Sequence, residues 1–362
     1  MGMIDAVRRH YELYPYPSYP LFASIRRYDT YAINLEALWA RFNGALPPVA
    51  AQSILIAGCG SFAPYPFSAA NPAAAITALD LSRRSLGRAR LHCLLHGCLN
   101  VRHQDGDLLD PAIAPGPFGL IDAYGVLHHL DDQLQGLKAL ATQLAEGGIL
   151  RLMLYSRYAR REEESIRRAL RLLKIDSTAV ARRLIARARP GSRLRRYADS
   201  SCEAGFESGL ADALLHPRVH TFRSDELMDL VRNSGLEVLI FAHNGALEDV
   251  ASELSRIRAM EERKQSPGNF VLYLGRNPAG PCSDDGSLLM LNPCLAAALR
   301  VPRLGTLQVA QRLGQPPPGL GRNERSFLRQ FIEPVQWNSL TADARAAAKV
   351  YIKALFLLQY RG

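Results

Sequence analysis

Short apolar runs alternate with amphipathic stretches through the middle of the chain. The apolar runs predict strands at Ser53–Ala57, Ile76–Asp80, Asn100–His103, Leu120–Tyr124 and Ile149–Tyr155. Helical patterns separate most of them, at Ser82–His96, which begins with a serine cap, and at Asp132–Ala145, before Gly147 and Gly148. Strands that alternate with helices predict an α/β protein with a doubly wound parallel sheet.

The same alternation resumes nearer the end of the chain. It predicts a helix at Ser224–Ser234, a strand at Glu237–Ala242, a helix near Glu248–Arg263 and a strand at Phe270–Leu274. We expect the last two strands to pair with each other at the end of the sheet. The two blocks of pattern therefore predict seven strands.

Composition changes divide the chain into three parts. Residues 1–48 form a polar-aromatic cap segment that contains Tyr14–Pro17 and closes at Pro47 and Pro48. Residues 49–277 hold the sheet domain. Residues 278–362 predict a mainly helical C-terminal region, with helices at Asn323–Ile332 and Thr341–Gln359. This region is expected to dock on the core, to form a dimer surface or to contribute to a substrate pocket.

Residues 156–200 form an insertion that carries most of the positive charge. It has 14 Arg and Lys against five Asp and Glu. One interpretation is a solvated helical lid, supported by i,i+4 pairs between Glu163 and Arg167 and between Glu164 and Arg168. The other is a basic wall above the site that recognises an acidic group of the substrate. The spacing alone leaves both interpretations open.

Candidate ligand-binding residues follow the first two strands. Gly58 and Gly60 let the backbone approach a ligand closely. Asp80 ends the next strand, where a carboxylate can accept both hydroxyls of a ribose. The third glycine of the pyrophosphate fingerprint is missing, because Phe62 follows Ser61. This pattern favours a cofactor that has a ribose but no phosphate, such as S-adenosylmethionine.

Composition excludes several classes of protein. With 362 residues, of which 48% are apolar and 22% charged, the chain can build a core and carry additions. The net charge of +10 favours anionic partners without choosing among nucleic acid, metabolites and acidic proteins. No apolar run approaches the roughly 18 residues of a membrane span, and the N-terminus lacks a signal-peptide core. Six cysteines without C-x-x-C spacing predict reduced thiols, a cytoplasmic location and no metal site.

Five sequence blocks resemble class I S-adenosylmethionine-dependent methyltransferases. They occur in order and at fitting intervals between residues 53 and 155: Ile54–Gly60, Ala78–Leu86, Asp105–Leu109, Gly125–Leu130 and Leu144–Leu150. Tyr14–Pro17, Leu154–Arg160 and Leu214–His220 resemble a bacterial subgroup of these enzymes. The resemblance implies a Rossmann-like seven-stranded sheet with a helical lid insertion and N- and C-terminal additions, and S-adenosylmethionine as the cofactor.

The resemblance also implies roles for single residues. Gly58, Cys59 and Gly60 would lie beside the methionine portion, Asp80 would accept the ribose hydroxyls and Leu81 would pack on the adenine. Asp107 and the Leu108 amide would read the adenine edge, and Gly125 and Val126 would lie near the reacting methyl. Ala57 stands where many members have Asp or Glu, and Phe62 replaces a frequent glycine. The expected cofactor-binding set also includes Tyr14, Ala57 and Ser82.

Four histidines are candidate bases. His128 and His129 follow the fourth strand, where a base would reach the methyl, and His216 and His220 are second candidates. Histidine has a suitable reference pKa of about 6.5. The alternative is that each is a structural residue bonded to backbone. Tyr11, Tyr14 and Tyr16 are expected either to close over the cofactor or to pack against the core.

Three functions fit these observations. The first is methyl transfer to a small-molecule or peptide-linked acceptor. The second is RNA methylation, which the charge favours; the residues Asp122–Val126, however, lack the motif that grips a nucleobase amine, and no RNA-binding module is seen. The third is a non-catalytic cofactor-binding scaffold. The expected partners are a small or peptide substrate, with an acidic group as one option, no membrane, and a second copy of the chain as another option.

Overall fold

The computed structural model describes residues 2–282, 286–302 and 304–362. Seven strands form one sheet and three form a second. In chain order the strands are β1 Ser53–Ala57, β2 Ala75–Asp80, β3 Val101–Asp105, β4 Phe118–Tyr124, β5 Leu144–Leu154, β6 Glu237–Phe241, β7 Phe270–Gly275, β8 Ser287–Leu291, β9 Val335–Gln336 and β10 Leu357–Arg361.

Fourteen α-helices surround the two sheets in the described part of the chain. They are α1 Met3–Leu13, α2 Leu35–Asn43, α3 Pro64–Ala70, α4 Arg83–Leu95, α5 Gln133–Gln143, α6 Arg161–Leu172, α7 Thr178–Ala186, α8 Arg193–Ser200, α9 Glu207–Leu210, α10 Ser224–Ser234, α11 Val250–Glu262, α12 Pro293–Arg300, α13 Arg322–Arg329 and α14 Ala342–Lys353. None of the described helices is long and apolar enough to cross a membrane.

The large sheet confirms the predicted doubly wound topology. Its strand order is β3-β2-β1-β4-β5-β7-β6, and β1 pairs in parallel with β2 on one side and β4 on the other. β7 runs antiparallel between β5 and β6, so the two last strands pair at the end of the sheet as expected. The chain order reverses at β1, and the carboxyl ends of β1, β2, β4 and β5 therefore meet at one edge. Ligands of open α/β sheets bind at such an edge.

Alternate residues of the central strands enter two different cores. Leu55 of β1 and Ile121 of β4 face one core, and Ile54 and Leu120 face the other, all four being fully buried or nearly so. Burial of a side chain of this size contributes about 1.5–3 kcal/mol. Because both faces are covered, these strands read in the sequence as continuous apolar runs.

The insertion is helical, as the sequence predicts, but its salt bridges differ from the expected ones. Helices α6, α7 and α8 share a small core, and a π-turn at 211–215 follows α9. Glu163 pairs with Arg160, and Glu164 accepts a hydrogen bond from Thr221. Arg167 is 5% exposed and donates to two backbone carbonyls. The predicted i,i+4 pairing of Arg167 is wrong, because those carbonyls satisfy the guanidinium inside the lid.

The C-terminal region contains more strand than the sequence indicates. β10, β8 and β9 form an antiparallel sheet in which Leu357 lies opposite Leu291. The helix expected at Thr341–Gln359 ends at Lys353, since Leu355 adopts a left-handed conformation with φ of 57°. The residues of β10 instead pair with β8, where their backbone groups form the hydrogen bonds of an antiparallel ladder.

The C-terminal region packs against the N-terminal segment and the large sheet. Asn292, which precedes α12, donates to the carbonyls of Tyr31 and Leu355 from a fully buried position. The rings of Tyr31 and Phe356 meet edge to face. This docking was one of the expected arrangements. Cys59, Cys93, Cys98, Cys202 and Cys294 are free thiols.

Candidate functional site

A cavity of about 970 Å³ lies at the carboxyl edge of the large sheet. One side of it, the strand-tip side, consists of the residues that follow β1 to β4: 58–60, 80–81, 106–109 and 125–126. A second part of the lining is the polar wall, defined as Tyr11, His129, Tyr155 and Asp212. A cavity of this size is at the upper end of the range for a small-molecule site.

The loop after β1 requires glycine at two positions. Gly58 has φ of +70°, and a Cβ there would lie 2.5 Å from a methyl of Val126. Gly60 has φ of +56°, and a Cβ there would lie 2.4 Å from the carbonyl oxygen of Tyr16. The amides of Gly58 and Cys59 donate to the carbonyl of Leu79 at 2.8 and 2.9 Å. These bonds fix the loop close to the tip of β2.

Asp80 ends β2 and accepts hydrogen bonds from both neighbouring loops. Its Oδ2 accepts from the Gly60 amide at 2.7 Å, and its Oδ1 accepts from the Ser82 amide at 2.9 Å. Burial raises the pKa of Asp80 to about 6, against the opposing effect of these amides. The oxygens keep lone pairs on the cavity side. A buried carboxylate with free acceptor capacity beside a glycine loop fits a ribose without a phosphate.

Two expected cofactor residues at the ends of β1 and β2 do not line the cavity. Ser82 is fully buried, and its hydroxyl accepts from the Ser85 amide to cap α4. Ala57 is the last residue of β1 and lies in the core. Both are one residue away from positions that do reach the cavity, namely Leu81 and Gly58. The other expected positions from Gly58 to Val126 line it.

An N-terminal strap, residues 11–19, closes the cavity over the glycine loop. The Ser61 amide donates to the carbonyl of Tyr16 at 3.1 Å, and the Ser61 hydroxyl donates to the carbonyl of Pro17. Tyr11 and Tyr16 line the cavity. Tyr14 does not, since it follows the end of α1 and its ring packs on His10. The strap is therefore in place, but Tyr14 is not the residue that faces the cavity.

His129 is the candidate base that lines the cavity. Its Nδ1–H donates to the carbonyl of Arg218 at 2.7 Å, which leaves Nε2 with a lone pair. Burial lowers the pKa of His129 to about 3. The imidazole is therefore neutral near pH 7 and oriented by its second nitrogen. This is the geometry of a hydrogen-bond acceptor.

The other three histidines lie outside the cavity lining. His128 is fully buried and stacks on Tyr155 with ring centroids 3.7 Å apart. His216 stacks on His129 at the same distance, and its Nδ1 accepts from the Arg218 amide. His220 is half-buried, with its amide bonded to the carbonyl of His128. His128 and His216 therefore contact the cavity-lining residues Tyr155 and His129, whereas His220 contacts Phe222 and the His128 backbone.

The polar wall contains two residues, Tyr155 and Asp212, that sequence reasoning missed. The Tyr11 hydroxyl donates to Oδ1 of Asp212 at 2.9 Å, and the Tyr155 hydroxyl lies 3.5 Å from Oδ2. Arg160 pairs with Glu203 and lies over the ring of Tyr155 at 4.0 Å. No local motif marks Asp212, because it comes from the π-turn of the lid. Of these two residues, only Tyr155 could have been identified from the sequence, because it lies at the end of a predicted strand.

Three buried residues have the spacing of metal ligands. The ligand atoms of His10, Asp212 and His216 lie within 4.8 Å of one another. A histidine that binds metal through one nitrogen normally donates from the other. Nδ1 of His216 instead accepts from the Arg218 amide, so its Nε2 carries the proton. This donor arrangement does not favour a metal ion.

The C-terminal region contributes to the far end of the cavity. Gln311 and Arg312 line it together with Asn244. The Gln311 amide donates to Asn244 Oδ1 at 2.7 Å, and Arg312 donates to the carbonyl of Asp29 at 3.3 Å. The expected contribution of this region to a pocket is therefore seen. Below it lies the Asp122–Arg151 pair, joined at 2.6 Å.

Comparison with known proteins identifies related sequences and folds. Residues 55–150 match a family model described as a methyltransferase domain. An uncharacterized protein of Synechococcus sp. is 31% identical over 320 residues, which cover 81% of this chain and 77% of that protein. A ubiquinone biosynthesis O-methyltransferase of Albidiferax ferrireducens is 33% identical over 104 residues, 28% of this chain and 41% of that enzyme.

Solved structures extend the likeness to most of the fold. PKMT2 from Rickettsia typhi superposes with a TM-score of 0.55 at 14% identity, over 94% of this chain and 77% of that one. One structure of PKMT2 is a complex with AdoHcy. The strand order of the large sheet agrees with the Rossmann-like methyltransferase fold. The chain belongs to the family of the Synechococcus protein and is a class I S-adenosylmethionine-dependent methyltransferase.

Proposed function

We propose that the protein methylates a small-molecule or peptide-linked acceptor by in-line displacement. The observation that carries this proposal is one continuous cavity lined by both the strand-tip side and the polar wall. S-adenosylmethionine supplies a methyl group already activated by its sulfonium. The protein then has to orient the two partners and exclude water.

The cofactor positions are proposed on the strand-tip side. Asp80 accepts the ribose hydroxyls, and Gly58 to Gly60 border the methionine portion. Asp107, whose Oδ1 accepts from the Leu109 amide at 3.0 Å, is oriented beside the adenine. Val126, on the same side, packs against Gly58, and its carbonyl accepts from the His129 amide at 2.9 Å. This position supports transfer of the methyl group toward His129 and Tyr155.

His129 is proposed to orient the acceptor by accepting a hydrogen bond from it at Nε2, since a pKa of about 3 makes its imidazole a weak base. Of the four candidate histidines it lines the cavity and has an oriented free lone pair. His216 stacks on it, His128 meets it edge to face, and His220 packs on Phe222 instead. These three are proposed as structural residues, because their rings pack against aromatic neighbours.

The basic lid does not favour an acidic acceptor. Arg160 lines the cavity but forms ion pairs with Glu203 and Glu163. Arg167 donates its hydrogen bonds to backbone carbonyls. Exposed cations such as Arg168 lie on the outer face of the lid. RNA methylation is the alternative that this outer charge favours. Because the cap segment covers the cavity, we expect the methyl acceptor to be a small molecule or a single side chain that enters the cavity.

Three finer features belong to the same proposal. The strap that contains Tyr14–Pro17 marks a bacterial subgroup of methyltransferases. The free thiols support a cytoplasmic location. A homodimer remains an option that the exposed leucines of α4 support, since Leu91 and Leu94 are 44% and 58% exposed.

The test is transfer of radiolabelled methyl groups from S-adenosylmethionine into a fractionated bacterial extract. We expect label in small molecules or in protease-sensitive material, and none with the Asp80→Ala variant. Label that ribonuclease removes would establish the RNA alternative. Binding of S-adenosylmethionine without any transfer would favour the scaffold interpretation.

A further inference from the structure

Asp212 is a buried carboxylate that faces the cavity without a cation beside it. Its side chain is 3% exposed, and its partners in the described part of the chain are the hydroxyls of Tyr11 and Tyr155. Carboxylates removed from water are normally ion-paired or protonated. The two phenols leave lone pairs on both oxygens. The carboxylate is therefore ready to accept hydrogen bonds from a ligand.

The two nearest arginines have other partners. Arg160 pairs with Glu203 at 3.3 Å and Glu163 at 3.4 Å. Arg167 donates to the carbonyls of Ala213 and His216 at 3.2 and 2.7 Å. Both charges contribute to the field at Asp212, but neither forms an ion pair with it. Asp212 therefore has the capacity to pair with one more positive group inside the cavity.

The surrounding rings are suited to a cation. Tyr11 and Tyr16 line the cavity together with Asp212, and aromatic rings attract ammonium groups. Tyr155 contributes its hydroxyl alone, because His128 stacks on its ring and Arg160 lies over it. The neighbouring histidines do not oppose this. Burial lowers the pKa of His10 to about 4, and burial lowers that of His129 to about 3, so both are neutral near pH 7. A carboxylate, phenols and neutral imidazoles together favour an ammonium over a carboxylate or a phosphate.

We propose that Asp212, with the hydroxyls of Tyr11 and Tyr155, binds the ammonium group of an aliphatic amine and that this amine is the methyl acceptor. The proposal rests on the proposed function, since it names the substrate class of the same cavity. Methylation would form a C–N bond and break the C–S bond, whose electron pair stays on sulfur. Because an ammonium nitrogen has no lone pair, it would first give one proton to the Asp212 carboxylate that holds it, and the neutral amine would then attack the methyl carbon.

The cofactor itself offers a second source of positive charge. The α-ammonium of its methionine portion has the same chemistry as an amine acceptor. S-adenosylhomocysteine carries that α-ammonium but no charge at the sulfur. Sinefungin carries the α-ammonium and, in place of the methyl sulfonium, a protonated amine on carbon. Comparison of these two ligands therefore separates the sources.

The experiment measures both affinities by isothermal titration calorimetry at pH 7.5. We expect the wild-type protein to bind sinefungin about ten-fold more tightly than S-adenosylhomocysteine, as a hydrogen-bonded charge pair predicts. In Asp212→Asn this preference should fall to about three-fold or less, while affinity for S-adenosylhomocysteine changes little. Asp212→Glu, which keeps the charge, should retain part of the preference.

Asp199→Asn is the matched control. Asp199 lies on α8 of the same lid, is exposed and pairs with Arg195. Its replacement removes one lid carboxylate without touching the cavity, so the preference for sinefungin should persist. Binding of S-adenosylhomocysteine also reports whether each variant is folded.

Two results would overturn the proposal. If Asp212→Asn weakens both ligands equally, Asp212 serves the methionine ammonium. If the wild-type protein shows no preference for sinefungin, the polar wall does not bind an ammonium at the transfer position, whatever the variants do. Failure of the wild-type protein to bind S-adenosylhomocysteine at all would instead contradict the proposed function.

Discussion

The two sides of the cavity are built in different ways. On the strand-tip side, each residue follows a strand of the large sheet and is held by bonds between adjacent loops, such as Gly60 to Asp80. The polar wall joins residues from α1, the loop after β4, the end of β5 and the π-turn of the lid. The first side depends on the sheet alone. The second exists only when strap, sheet and lid are assembled.

This difference predicts different consequences of mutation. A change on the strand-tip side should alter ligand affinity while the fold persists. A change behind the polar wall should alter the stability of the lid first. Variants on the two sides therefore test whether the cavity consists of two separable parts.

The largest effect is expected behind the polar wall, at Arg167. Arg167→Gln removes a guanidinium that satisfies two buried carbonyls, those of Ala213 and His216. Each lost bond costs about 1–3 kcal/mol, so the free energy of unfolding should fall by about 3 kcal/mol. Chemical denaturation monitored by circular dichroism measures this. Arg168→Gln is the control, since Arg168 is exposed on the same helix and should change stability by less than about 0.5 kcal/mol. Equal effects would contradict the buried role of Arg167.

The next effect is expected at the glycine loop. Gly60→Ala places a Cβ against the carbonyl of Tyr16 in a left-handed conformation, which displaces the loop, the strap or both. Affinity for S-adenosylhomocysteine should fall about 100-fold, or about 2.7 kcal/mol. Calorimetry measures it. Gly87→Ala in α4, where a Cβ meets nothing within 4 Å, should leave the affinity unchanged. An unaltered Gly60→Ala affinity would show that the loop does not border the ligand.

Asp80 provides a more moderate test of the strand-tip side. Asp80→Ala removes the proposed acceptor of the ribose hydroxyls and should weaken S-adenosylhomocysteine about 30-fold, which is about 2 kcal/mol. The loop bonds to Gly60 and Ser82 are lost as well. Asp105→Ala serves as the control, because Asp105 ends the neighbouring strand and pairs with Arg83 at the surface. Similar losses in the two variants would refute the ribose assignment.

The smallest effect is expected from pH. Burial raises the pKa of Asp80 to about 6, so the carboxylate becomes protonated below that pH. Ribose hydroxyls donate to the ionised form, and affinity for S-adenosylhomocysteine should fall up to about ten-fold between pH 6 and 5. Asp80→Asn should bind with little dependence on pH in this range. A steep dependence that persists in Asp80→Asn would assign the titration to another group.

Folding responds to the same carboxyl group with the opposite sign. Because the pKa of Asp80 is higher in the folded protein than in the unfolded chain, the folded state binds the proton more tightly. The contribution of this group to stability is therefore present below about pH 4 and is lost as pH rises through about 6. Ligand binding restores the preference for the ionised form. Denaturation with and without S-adenosylhomocysteine at pH 5 and 7 would measure both directions.

The sequence predicted most strands of the large sheet closely, but β5 begins at Leu144 rather than at Ile149. β1 has the predicted bounds, and β2 and β4 differ only by one or two residues at their first ends. Buried parallel strands are recognised in a sequence by continuous apolar runs, and turns are recognised by glycine. Gly58, Gly60 and Asp80 were found for the same reason, since each follows its strand directly. Ala57 and Ser82 were wrongly included among the cofactor-binding residues, because each lies one residue away from a position that lines the cavity.

Other features could not be read from local patterns. The short strand β10 follows α14, and the sequence prediction included it in that helix. The apolar residues there fit both the 3.6-residue period of a helix and the two-residue period of a strand. Arg167 looked like a solvated cation, but carbonyls from a segment about fifty residues later bury it. Tyr14 was placed over the cofactor, while the end of α1 turns its ring toward His10.

The sequence by itself determined the sheet, its ligand-binding edge and the identity of the cofactor. These depend on residues near one another in the chain, where periodicity and turn chemistry are decisive. Only the tertiary structure decided the polar wall, because Tyr11 and Asp212 are separated by 201 positions and meet through packing of the strap on the lid. The cofactor side is therefore a property of local sequence, and the acceptor side is a property of the assembled fold.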